Sequence, residues 1–200
     1  MENEVNIVGQ IIDNPIYSHE YQGINYYVCT VRTEYIRKRN PVQSFIRIYI
    51  PEAIAINSDL AVDINIEIKG RLINSNHDGH KDVSVVADEI TITDKEYYNY
   101  AKLTGVISRV FTNESNFINF VNFLVSTSNA DKKRAISLRV VAWSRLAYHI
   151  FNNFNIGDKV TVMGAISSSV YDPSRERSGI DISDKVFISE LYCTACTKQE

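Results

Sequence analysis

Polar and apolar residues alternate along short runs through most of this chain, the pattern of a strand with one buried face. In "INIEIKGRL", Ile64, Ile66 and Ile68 are separated by polar residues, and Val160 and Val162 repeat the pattern in "KVTVMGAI". "FIRIYI" sets Ile46, Ile48 and Ile50 on one face, as "SLRVVAW" sets Leu138, Val140 and Ala142. Two more runs offer Tyr27, Cys29 and Val31, and Val121, Phe123 and Val125, as core sets. Helical spacing appears in "SRLAYHIFNNFNIGD", where Leu146, Ile150, Phe151 and Phe154 recur on one side. This predicts a helix of about three turns that stops at "NIGD". A shorter helix is expected to open at Pro51 in "PEAIAINSDLAVD".

These elements come twice in the same order. "NIVGQIIDNPIY" at Asn6 matches "KLTGVISRVFTN" at Lys102, placing Gly9 on Gly105. "INYYVCTVRT" at Ile24 matches "INFVNFLVST" at Ile118, and "FIRIYIPEAIA" at Phe45 matches "SLRVVAWSRLA" at Ser137. The last pairing superposes Arg47 on Arg139 and Ala55 on Ala147. "INIEIKGRL" matches "KVTVMGAI", with Gly70 on Gly164, and "VVADEI" at Val85 matches "VFISEL" at Val186. Five strands per copy with a helix between the third and fourth describe an OB-fold barrel. The expected fold is therefore all-β with short helices: two tandem OB-fold five-stranded barrels. The expected divisions are 1–96, 97–192 and a short tail, 193–200.

At these residues the chain resembles the bacterial and phage single-stranded-DNA-binding proteins. "NIVGQIIDNPIY", "VVAWSRLAYHIFNNFNIGDKVTVMGAI" and "VVADEI" carry the likeness. In that family the first strand reads roughly Val-Gly-Arg followed by Asp-Pro, and the third runs into an aromatic and a basic-Leu-Ala helix start. The resemblance is fuller from Lys102 to Leu191 than in the first copy. It implies single-stranded DNA as the partner, a homodimer assembling four OB-folds, and loops that clasp the strand. The family's Gly/Pro/Gln-rich tail with an acidic tip has no match in "CTACTKQE". The expected setting stays open between replication, recombination or repair and a phage, plasmid or other mobile element, with replication or mobile-element proteins as possible partners.

Side chains alternate faces along a strand, so the core sets define outward sets. Arg139 and the single tryptophan, Trp143, fall outward in the second copy, with Phe120 on the preceding strand. Phe45, Arg47 and Tyr49 fall outward in the first copy, with Tyr26 and Arg32. Aromatics beside cations are the usual surface for single strands, each base stacking on a ring and each phosphate meeting a charge. Trp143 has two readings at this point, a stacking platform or a residue packed under the helix or between the copies.

The chain is mildly acidic, with a net charge of −3, so any nucleic-acid surface must be local. Two basic triplets recur at matching places after the second strand: Arg37, Lys38 and Arg39 in "EYIRKRN", and Lys132, Lys133 and Arg134 in "NADKKRA". The loop "YDPSRERSG" adds Arg175 and Arg177, and "NHDGHKD" adds Lys81 with His77 and His80. Phosphate contact is the expected role, and binding should weaken with salt. A zinc site from "HDGH" and "CTAC" is not expected, because Cys193 and Cys196 fall outside the copy that holds the histidines. No nucleophile motif, phosphate loop or carboxylate cluster argues for an enzyme, and no cofactor is expected. Three cysteines, no apolar leader and no membrane-length run suggest a cytoplasmic setting. The competing reading is an OB-based protein-interaction module, a primosome-like or conjugation accessory factor whose outward aromatics meet another protein.

Overall fold

The computed structural model describes residues 2–77, 80–111, 119–127, 135–171 and 186–199. The first barrel is built from β1 (Asn3–Ile11), β3 (Ile24–Arg37), β4 (Asn40–Pro51), β5 (Asn65–His77) and β6 (His80–Ile92). β1 pairs with β3, β3 with β4, β4 with β6 in parallel, β6 with β5, and β5 with β1. That ring of pairings closes the barrel. The second copy repeats the ring with β7 (Tyr98–Phe111), β8 (Phe120–Ser126), β9 (Ser137–Trp143), β10 (Lys159–Tyr171) and β11 (Val186–Lys198). The parallel contact between third and fifth strands recurs, Ile48 beside Val85 in one and Val140 beside Leu191 in the other. Helices α1 (Glu52–Asn57) and α2 (Ser144–Asn153) sit in the predicted slot of each copy.

The core sets face inward as the alternation required. Ile46, Ile48, Ile50, Val31, Phe123, Val125, Val140 and Ala142 are all fully buried. Tight closure explains the first glycine of each copy. A Cβ on Gly9 would lie 2.5 Å from the Arg32 carbonyl oxygen, and one on Gly105 2.7 Å from that of Ser126. Both strands cross the second strand of their barrel there, where only a bare backbone fits. The ladder between fourth and fifth strands is interrupted at matching places, Lys69/Gly70 and Met163/Gly164, and such bulges help a sheet coil on itself.

The two barrels share a sheet. β1 also pairs antiparallel with the start of β7, from Asn3 opposite Leu103 to Val8 opposite Tyr98. Val5 faces its own counterpart, Ala101, so the two copies meet across a pseudo-two-fold. The β3–β4 hairpin is longer than its barrel needs. Its distal half carries Tyr35 and Ser44 on the inner face, buried against the second copy, while the buried Thr33 sits at the seam and donates to the carbonyls of Val8 and Tyr98. Ser44 Oγ donates to the Ile166 carbonyl at 2.9 Å, and Tyr35 Oη lies 2.9 Å from Ser167 Oγ.

Two expectations differ from the structure. Residues 193–200, expected as a tail, run in β11 as far as Lys198, with Cys193 opposite Gly164 and Cys196 opposite Val162. The first copy also has a strand outside the five-stranded plan, β2 (Ile16–Tyr21), which hydrogen-bonds to the start of β3. Its apolar residues Ile16 and Tyr17 are exposed, so its sequence lacks a buried-face signal.

Candidate functional site

On the outer face of the second barrel, Phe120 of β8 stands directly opposite Trp143 of β9. Their ring centroids are 5.1 Å apart and tilted by 33°. Trp143 ends β9 and is the cap residue of α2, so strand and helix fix it together. Strand β11 lies beside β9 in parallel, placing Tyr192 next to Val141 on the same face. Phe120, Trp143 and Tyr192 thus form an aromatic patch belonging to one barrel.

The cations over that patch come from the other barrel. The tip of the β3–β4 hairpin places Arg37 Cζ 4.8 Å from the centre of the Trp143 ring and 5.8 Å from that of Tyr192. Lys38 Nζ is 5.1 Å from the Trp143 centre. Tyr35, further down the hairpin, packs its ring 5.5 Å from that of Tyr192. Trp143 faces outward, is half-buried, and lies where the copies meet. The turn itself is costly. Lys38 and Arg39 both have positive φ, 50° and 69°, as a two-residue type I′ turn requires, and that turn prefers Asn-Gly. Here the turn carries two long cations instead.

Ion pairing is denser elsewhere on the surface than in this region. Lys69, Arg71, Lys95, Lys102 and Lys198 are each matched by a carboxylate, from Glu89, Asp88, Glu67, Glu2 and Asp158 respectively. Among the described residues, Arg32, Arg37, Lys38, Arg39, Arg47, Arg145 and Lys159 have no carboxylate within ion-pair distance. Five of these lie at the hairpin tip or on the strands that form it, Arg145 is in the first turn of α2, two residues past Trp143, and Lys159 stands apart at the start of β10. Arg139 is the partial exception, with Nε 3.5 Å from Glu190 Oε2.

The first copy's outward residues are arranged differently. Tyr26, equivalent to Phe120, stands opposite Pro51 where the second copy has Trp143. Its ring stacks on His19 of β2 at 5.3 Å and 12°. Tyr49, expected on an open face, is buried, with the edge of His19 against it at 5.5 Å. Strand β2 supplies that cover, so Tyr49 has no free face. Arg32 is outward and half-buried, and its Nη2 donates to Gln10 Oε1 and contacts Tyr97 Oη at 3.4 Å. Phe45 and Arg47 are outward and half-buried, and the Phe45 backbone N–H donates to Ser168 Oγ at 2.6 Å.

Lys132, Lys133, Arg134, Arg175 and Arg177 lie outside the described residues, as do the side chains of Lys81, His77 and His80. Cys193 and Cys196 are buried free thiols, and burial pushes each up to about 12. Sequence reasoning missed Tyr192, Tyr35 and Glu190. Tyr192 and Glu190 reach the site through the parallel β9–β11 contact, and Tyr35 reaches it through a contact between copies. No local pattern announces either.

Fold and surface together define a tandem OB-fold protein with one aromatic patch crossed by cations from its twin barrel. Its architecture is that of the single-stranded DNA binding protein from Thermus aquaticus. The wild-type form of that protein superposes with a TM-score of 0.75 at 16% identity, covering 100% of this chain and 93% of that one. A deletion mutant of it gives 0.76 at 18%, covering 100% and 95%. Identities this low establish a shared fold. No family model matches the chain, and no curated protein matches it. No helix among the described residues is long and apolar enough to cross a membrane.

Proposed function

We propose that this protein binds single-stranded DNA, with bases stacking on Trp143 and Phe120 and phosphates meeting Arg37, Lys38 and Arg39. The observation that carries the reading is the convergence of cations without a carboxylate partner, Arg37 and Lys38, on the half-buried Phe120–Trp143 pair. Stacking accepts any base, so sequence preference should be slight. The name of the Thermus aquaticus protein points the same way. Arg47, Phe45 and Arg139 extend the proposed surface, Tyr26 is left outside it by the His19 ring stacked on it, and Lys132, Lys133, Arg134, Arg175 and Arg177 belong to it on sequence grounds. OB-fold domains at 1–96 and 97–192, a homodimer of four barrels, and a role beside replication or mobile-element proteins are part of the same proposal.

A protein-interaction role is favoured by one feature. A cleft of about 780 Å³ lies between the barrels, lined by Tyr35, Tyr97, Tyr98, Tyr100 and Tyr192 with Glu34 and Glu96. Those carboxylates suit a protein segment better than a phosphate chain. Anisotropy of labelled oligo-dT separates the two roles. The DNA reading expects binding that weakens steeply from about 50 to about 200 mM salt. Absence of binding at low salt would leave the interaction role.

A further inference from the structure

The aromatic patch contains one acidic residue whose position gives it a role. Glu190 lies on β11 two residues before Tyr192, so both point to the outer face, the side on which Arg139 and Trp143 stand. Its carboxylate holds Arg139 Nε at 3.5 Å. Ser167 stands opposite on β10 and is tied to Tyr35 of the hairpin, and Arg37, from the same hairpin, acts on Glu190 electrostatically. Among the described residues, the charged groups facing Glu190 are thus Arg139 from β9 and Arg37 from the β3–β4 hairpin. A strand laid over Trp143 and Tyr192 brings phosphates to the same two guanidinium groups.

We infer that Glu190 is a built-in competitor for the phosphates: it occupies Arg139 in the free protein and must yield that arginine when a strand binds. The inference rests on the proposed function and adds a regulating residue to the same site. A carboxylate and a phosphodiester offer a guanidinium the same kind of charged oxygens, so they compete directly. The competitor also titrates. Burial raises the Glu190 carboxyl above the ordinary carboxylate range, while Arg139 and Arg37 pull it down less strongly. Lowering the pH through that raised value neutralises Glu190, frees Arg139 and tightens binding. A phosphate arriving beside Glu190 raises its carboxyl further, so binding takes up a proton.

The test is oligo-dT affinity of wild type and Glu190→Gln from about pH 8 to about pH 5, at fixed salt, with each variant checked by thermal melting. The glutamine variant is expected to bind about two- to fivefold tighter at neutral pH, the scale of one partly exposed ion pair. Its affinity should change less on acidification than that of wild type. Calorimetry in buffers of different ionisation enthalpy should show less proton uptake. In an Arg139→Gln background the gain should shrink. Equal affinities and equal pH profiles would overturn the inference while leaving the proposed function intact, as would the same gain without Arg139. Wild type that binds no oligo-dT at any pH would overturn both.

Discussion

Barrel 2 sets Phe120 against Trp143 at the point where barrel 1 sets Tyr26 against Pro51. The backbone pairings are equivalent, yet what lies over the rings differs. In barrel 2 cations from the neighbouring copy reach over the half-buried Trp143 ring. In barrel 1 an additional strand lays His19 on the half-buried Tyr26 and against the buried Tyr49. A duplicated fold therefore need not duplicate its site. One barrel presents Phe120 and Trp143, and the other extends the hairpin whose cations lie over them. The inside differs as well: Phe123 fills the position where barrel 1 has Cys29, and both are buried.

The largest effect expected from breaking this comparison is on stability. Phe123→Ala should cost about 3–5 kcal/mol in urea unfolding, the range for truncating a buried ring. Cys29→Ala should cost well under half of that, since a small side chain leaves a small void. At the surface, Trp143→Ala should weaken oligo-dT binding by about 1–3 kcal/mol, one stacked base, while Tyr26→Ala should leave affinity nearly unchanged. Arg37→Gln with Lys38→Gln removes two contacts, so the slope of log affinity against log salt should become shallower by about 1.4. The smallest effect sharpens the cost of the turn. Lys38→Asn with Arg39→Gly should raise stability by about 1 kcal/mol, because that pair suits positive φ, and should weaken binding. If the pair left binding unchanged, the strained cations would have no role in it.

Strand order, inward faces and the glycine correspondence were legible because they are local. Period-two alternation marks Ile46, Ile48 and Ile50, and close backbone crossing forces Gly9 and Gly105. The outward placement of Trp143 followed from the same parity. What parity does not report is what lies over an outward residue. Tyr49 reads as exposed until β2, whose apolar residues face solvent, is known to bring His19 against it. Arg37 and Lys38 read as a phosphate-contacting loop of their own copy until the hairpin's length carries them onto the other. Cys193 and Cys196 read as a tail because "CTACTK" lacks clear alternation, although both thiols are buried.

The central claim is that strands stack in barrel 2 beneath barrel 1's cations, and the single tryptophan reports on it directly. Its fluorescence should be followed during oligo-dT titration at low and high salt, in wild type and in Tyr26→Ala. The account predicts strong quenching that fades with salt and is the same in both proteins. Binding that leaves Trp143 emission unchanged and is lost in Tyr26→Ala would contradict it, placing the site on barrel 1.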